Sequence, residues 1–148
     1  MRYLRVLVLL AIPWLAHADP LPFSPEQVGD AKVIYVDFWA SWCVPCRRSF
    51  PWLNQMQEKY GDQGFTVIGI NVDQERADAE RFLASYPALF PLVFDPHGEL
   101  ASRYQLEGMP SAVLLAANGS ELSRHIGFVA KHSDKYEKEI VRLMESQQ

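Results

Sequence analysis

The stretch Lys32-Val-Ile-Tyr-Val-Asp-Phe-Trp39 is almost continuously apolar, β-branched or aromatic, with one acid in its middle. A strand facing water on one side would alternate; one covered on both faces need not. The run therefore predicts an interior strand and a sheet sandwiched between layers. Cys43 to Tyr60 follows with Phe50, Leu53, Met56 and Tyr60 at spacings of three or four, the pattern of a helix with one buried face. Pro45 suits its first turn, where a missing N–H loses no bond. Pro51, inside the pattern, should kink it. Gly61 to Gly64 closes the helix, and Phe65-Thr-Val-Ile-Gly-Ile-Asn-Val72 reads as a second buried strand. Strand, helix and strand with no tight hairpin between them imply a right-handed parallel crossover.

Beyond Val72 the pattern weakens. Asp73 to Ser85 is charged and predicted helical, with Phe82 and Leu83 turned inward. Leu92 to Phe94 is a brief apolar stretch, and Glu99 to Gln105 a short helix. Ser111 to Ala117, then Asn118-Gly119, then Glu121 to Val129 reads as a hairpin, for which Asn-Gly suits a two-residue type I′ turn. Asp134 to Met144 completes the chain as an amphipathic helix. The expected class is mixed α/β, in one domain, as 148 residues suggest.

That domain is expected over residues 32–148. Arg2 and Arg5, an apolar run from Val6 to Leu15 and the small-x-small triplet Ala16-His17-Ala18 have the form of a cleaved export signal over residues 1–18. The run falls short of the roughly 20 residues a membrane span needs, although a retained anchor is the competing reading. Residues 19–31 form a lead-in. The segment 1–18 holds two arginines and no acid, so its removal takes the formal charge from −4 to −6. An acidic chain argues against nucleic acid or an anionic membrane as main partner.

The two cysteines are Cys43 and Cys46. A disulfide stabilises chiefly by closing a long loop of the unfolded chain, and this pair would close almost none. In an oxidising compartment it is better read as reactive than as structural. A zinc site would ask for four ligands, and His97, His125 and His132 show no ligand spacing, so no metal and no cofactor beyond the cysteine pair is expected. Cys43, just past a strand end and at a helix start, would have its thiolate favoured by the unpaired N–H groups and dipole there. It is the expected nucleophile, likewise the more exposed of the two, and Cys46, one turn in, resolves the mixed disulfide.

Trp42-Cys-Val-Pro-Cys46 after Val36-Asp-Phe-Trp39, with Pro51 five residues on and Gly108-Met109-Pro110 entering the hairpin, resembles the thioredoxin fold from about Lys32 onward. Cys46-Arg-Arg48, then Phe50-Pro51, the helical insertion around residues 73–85 and Gly108-Met-Pro-Ser111 are most similar to the exported TlpA/ResA/CcmG-like thiol–disulfide oxidoreductases. The resemblance implies a central mixed sheet flanked by helices, with a helical insertion after the βαβ unit. It implies a cis Met109–Pro110 peptide opposite Cys43, although a proline at a strand's first residue needs no function. Trp42, Val44, Pro45 and Met109 would contact substrate, and Trp39 would pack beneath the site.

Two departures stand out. Relatives commonly carry a glutamate three residues after the second cysteine, where this chain has Ser49. Asp37 matches the buried aspartate of thioredoxin; between two covered faces its charged form would be disfavoured, raising its pKa toward a range useful for moving the Cys46 proton. A partly wet strand edge would remove that role. The N-terminal hairpin usual in this branch is expected to be absent or reduced, because the lead-in is short and rich in proline and glycine.

The apolar Val44-Pro45 pair offers no side chain to hold a thiolate, so a reducing poise is favoured. By resemblance the chain is a monomeric periplasmic reductase of disulfide-bearing exported proteins, recharged by a membrane thiol donor. Its clients would be of the apocytochrome c or copper-centre assembly type. A disulfide oxidase or isomerase would use the same cysteines. A Cu(I) carrier would use them as soft ligands but lacks an accompanying Met or His cluster. A peroxidase would want a lone cysteine in a Thr/Pro/Arg setting.

Overall fold

The interior strand is realised as β1, Val33–Trp39, all seven residues of which are buried in the computed structural model, which describes residues 22–147. The predicted export signal lies outside those residues. Parallel pairing joins β1 to β2 (Phe65–Asn71), from Val33↔Phe65 to Trp39↔Asn71. On its other edge β1 runs antiparallel to β4 (Ser111–Ala116), with Phe38 opposite Ser111. The short β3 (Leu92–Phe94) and β5 (Glu121–Ile126) complete a mixed sheet of order β3-β2-β1-β4-β5.

Because side chains alternate along a strand, β1 feeds two cores at once. Val33, Tyr35 and Trp39 point to the face covered by α2 (Cys46–Tyr60), α3 (Arg76–Ser85) and α5 (Ser133–Ser146). Ile34, Val36 and Phe38 point to the opposite face, under Phe23, α1 (Pro25–Val28) and α4 (Glu99–Arg103). Residues 22–31 hold that four-residue helix rather than a hairpin, and Phe23 and Val28 supply part of the cover. Parity also places Asp37 with Tyr35 and Trp39, on the α2 side.

Several boundaries move. Helix α2 starts at Cys46, not Cys43, and runs unbroken through Pro51 to Tyr60. Pro51 lies in its second turn, where the missing donor leaves only the Arg47 carbonyl without its helical bond. Helix α3 begins three residues later than expected, at Arg76, because Asp73 is drawn into contacts of its own. The hairpin is not a two-residue type I′ turn. Gly119 N–H bonds the Ala116 carbonyl and Ala116 N–H bonds the Ser120 carbonyl, both at 2.9 Å, around a three-residue loop. Only Gly119 (φ 85°) is left-handed, whereas type I′ needs two such residues. The extra residue shifts the register between Leu114 and Leu115.

Gly69, opposite Asp37 on β2, is a glycine for lack of room. A Cβ there would lie 2.8 Å from Leu92 Cδ2, 3.0 Å from Phe90 Cε2 and 3.2 Å from Trp39 Nε1. Overpacking of this kind costs about 1–3 kcal/mol, more than the roughly 0.4–1 kcal/mol that alanine otherwise gains over glycine. Gly69→Ala should therefore lower the urea midpoint of unfolding; an unchanged or higher midpoint would show that β3 yields freely.

Candidate active site

The sheet delivers the cysteines to its C-terminal β1 end. From Trp39 the chain turns through Ala40, Ser41 and Trp42, with Cys43 N–H bonded to the Ala40 carbonyl at 3.1 Å, and enters α2 at Cys46. Cys43 and Cys46 form a disulfide with Cα atoms 5.4 Å apart. Cys43 is 3% exposed and Cys46 fully buried, so the expected difference in access exists but is narrow. The expected ring of free N–H groups is mostly absent: those of Cys46, Arg47 and Arg48 bond the carbonyls of Cys43, Val44 and Pro45 at 3.0–3.2 Å. What remains to favour a Cys43 thiolate is the aligned peptide dipole of α2. Arg47 and Arg48 are exposed.

The rim is apolar. Trp42 is 63% exposed and Val44 56%, which removes both from the core and leaves them free to touch another chain. Pro45 is half-buried between them and the helix. Met109–Pro110 is a cis peptide, and Ser111 pairs with Phe38, so this loop sits at the same sheet end as the turn to Cys43. Among the described residues no hydrogen bond engages the backbone of Met109, while Pro110 is buried with its carbonyl accepting from Gly127 N–H at 2.7 Å. Sequence reasoning missed Ile126, which is 55% exposed opposite Ser111 and against Gly108. Nothing in the alternation of β5 marks it, because the four residues between its exposed ends are all half-buried.

Several polar groups of β1, α2 and the segment after β2 are buried. Asp37 is 2% exposed in a central strand, not at a wet edge, and its Oδ2 has no partner. Its strand neighbours are Gly69 and Ala112, which can donate nothing from their side chains. Burial pushes the Asp37 carboxyl well above its ordinary value, and burial together with the nearby Asp37 pushes the Tyr35 phenol up as well. Trp39 is fully buried, with its indole N–H unpaired and its ring against Phe50 and Phe82. Ser49, buried where relatives are expected to carry a glutamate, donates its hydroxyl to the Cys46 carbonyl at 3.2 Å. Asp73, which sequence reasoning assigned to a helix, instead accepts bonds from Ser41. Among the described residues no three His, Cys, Asp or Glu side chains are grouped to hold a metal ion, and no helix is long and apolar enough to cross a membrane.

A redox-active cysteine pair at a strand–helix junction beside a cis-proline loop can exchange disulfides with an extended chain. The comparisons agree with that geometry. The model of the Redoxin family matches residues 12–140. The thiol-disulfide oxidoreductase ResA of Geobacillus thermodenitrificans is 27% identical over 111 residues, covering 75% of this chain and 64% of that protein. The chain thus spans somewhat less than two thirds of that relative's length. A Chlorobium tepidum structure assigned as the thiol:disulfide interchange protein DsbE is 44% identical, covers 80% of this chain and 83% of its own, and superposes with a TM-score of 0.75. StoA from Bacillus subtilis, at 23% identity, TM-score 0.63 and coverage of 74% and 82%, shares the fold.

Proposed function

This chain belongs to the Redoxin family, on the branch of the ResA- and DsbE-like thiol–disulfide oxidoreductases, and from that premise we propose that it reduces disulfides of exported proteins in the periplasm. The observation that carries the proposal is the Cys43–Cys46 disulfide at the start of α2, rimmed by exposed Trp42 and Val44. The thiolate of reduced Cys43 attacks one sulfur of the client disulfide. A Cys43–client bond forms and the other client sulfur leaves, taking a proton. Cys46, deprotonated, then attacks the Cys43 sulfur, closes the intramolecular disulfide and releases the second client thiol. Two electrons pass from the dithiol to the client.

In this scheme Met109 lends its unpaired backbone to an extended client, Trp42, Val44, Pro45 and Ile126 supply apolar contact, and Asp37 takes the Cys46 proton. The direction is supported by the apolar Val44-Pro45 pair, which gives the dithiol form no side-chain stabilisation. Export is supported by the pattern of residues 1–18, and a membrane thiol donor is the natural source of electrons there. Clients of the apocytochrome c or copper-centre assembly type fit a reductase in that compartment.

The test is the reduction potential of the Cys43–Cys46 couple, read against glutathione buffers. A value at or below about −200 mV, in the range of reducing dithiols, is expected. One near about −120 mV, that of a strong oxidant, would replace the reductase by an oxidase.

A further inference from the structure

The described residues bury three aspartates, and each is satisfied differently. Asp37 has an unpartnered oxygen. Asp95 caps α4, accepting from Glu99 N–H at 2.8 Å and Ala101 N–H at 2.9 Å. Asp73, 6% exposed two residues past β2, does neither. Its Oδ2 accepts from the Ser41 N–H at 2.9 Å and from Asn71 Nδ2 at 2.8 Å. Its Oδ1 accepts from the Ser41 hydroxyl at 2.8 Å and, more weakly, from the same Ser41 N–H at 3.2 Å. Asn71, fully buried, returns a bond by accepting from Asp73 N–H at 3.1 Å. The carboxyl group is filled on both oxygens, and three of its four bonds come from one residue of the turn that carries the site.

That turn has few other ties. Residues 40–42 belong to no strand or helix. Val72 N–H bonds the Trp39 carbonyl at 3.0 Å, holding the turn's beginning, and the Cys43 N–H bond to Ala40 is internal to it. Between those two, Ala40 packs into the core and Asp73 supplies the hydrogen bonds that fix the turn to the end of β2. Ser41 is two residues from Cys43, so the two Cα atoms are at most about 7 Å apart. A displacement of Ser41 therefore acts on the short stretch of backbone that carries Cys43.

We propose that Asp73 is a positioning residue for thiol–disulfide exchange: through Ser41 it latches the turn 40–42 to the end of β2 and so holds the Cys43 sulfur in line with an incoming client disulfide. The proposal rests on the exchange chemistry assigned above. Attack on a disulfide needs the three sulfurs close to one line, and misplacement by about 1 Å can cost on the order of a hundredfold in rate. Alkylation by iodoacetamide, a small and freely oriented reagent, asks for no such alignment. A displaced but intact Cys43 should therefore lose exchange rate and keep its alkylation rate.

The experiment compares Asp73→Ala, Asp73→Asn and Ser41→Ala with the wild type, each reduced and shown by near-ultraviolet circular dichroism to be folded at 25 °C. For Asp73→Ala the second-order rate of exchange with a protein disulfide should fall by about tenfold to a hundredfold. Its Cys43 alkylation rate on the high-pH plateau should stay within about twofold of wild type. Asp73→Asn keeps an acceptor for the Ser41 N–H and should recover most of the loss. Ser41→Ala removes the hydroxyl bond alone and should show a smaller defect, and it decides the matter if Asp73→Ala does not fold. Exchange rates within twofold of wild type in Asp73→Ala, or in Ser41→Ala where that variant must serve, would overturn the latch, whatever happens to melting temperature. So would equal losses in the Asn and Ala variants, or alkylation falling in step with exchange. A wild-type protein that exchanges no disulfide would instead sink the functional reading on which the latch depends.

Discussion

Cys43→Ser should abolish reduction of a protein disulfide, by at least about a thousandfold, the scale on which an enzyme feels the loss of its nucleophile. Cys46→Ser should do something different: it should react once and stop, accumulating protein covalently joined to its client. The asymmetry follows from placement. Cys43 lies in the turn before α2 and retains 3% exposure, whereas Cys46 is the first residue of the helix and has none. The narrow difference in exposure favours the first sulfur as the one an external disulfide meets. Once Cys43 is bonded to the client, Cys46 is the sulfur held next to it, since the two Cα atoms stand 5.4 Å apart. Serine at position 46 cannot supply a thiolate, so the mixed disulfide persists until an outside thiol releases it. Non-reducing electrophoresis of Cys46→Ser, reduced and then mixed with an oxidised client, should show a band at the summed mass that dithiothreitol removes. The same band formed by Cys43→Ser, and not by Cys46→Ser, would reverse the roles assigned to the two cysteines.

How much of this was legible beforehand depends on which interactions are local. The strands β1 and β2 announce themselves because burial on both faces forces unbroken apolar composition, and the helix between them because its inward face repeats at three and four. The cysteine pair and the prolines at 45 and 110 are legible as motifs. What the sequence hid is tertiary. The fate of the first N–H groups of α2 turns on whether residues 43–45 coil tightly enough for their carbonyls to meet them, which no composition records. Asn118-Gly119 favours a two-residue turn, yet the loop holds three residues and the register of β5 against β4 shifts with it, a choice made by pairing across the two strands. Asp73 looks like the start of a charged helix until Ser41, 32 positions away in sequence, is seen to reach it. Ile126 lies on a half-buried strand, where an exposed apolar side chain breaks no pattern.

Asp37→Asn should make the protein more stable at neutral pH and a poorer reductase, and the pairing of those two effects is the test of its role. The carboxyl is buried between Gly69 and Ala112 with one oxygen unpartnered, and burial raises its pKa in the folded protein. The folded state then keeps the proton over a range in which the unfolded chain, near the ordinary value of about 4, has lost it. Protons bound by the folded state exceed those bound by the unfolded one, so stability declines as pH rises from about 4 toward the folded pKa. Each pH unit by which the carboxyl lies above its unfolded value contributes about 1.4 kcal/mol to that decline. Asparagine carries no titrating proton and should flatten this part of the curve. Parallel stability–pH curves for the two proteins would show that burial does not perturb Asp37.

The functional half concerns Cys46. A fully buried thiol cannot hand its proton to bulk water, and Asp37 projects from the same face of the sheet on which Cys46 is packed. With the carboxyl removed, release of the mixed disulfide should slow by about a hundredfold, the lower range for a positioned general base. The first step, attack by Cys43, should be nearly unchanged. Stopped-flow mixing of reduced protein with a client disulfide separates the two phases. If Asp37→Asn were stabilised as expected yet resolved the mixed disulfide at the wild-type rate, the buried aspartate would be a perturbed group without a part in the chemistry. The proton of Cys46 would then leave by another route.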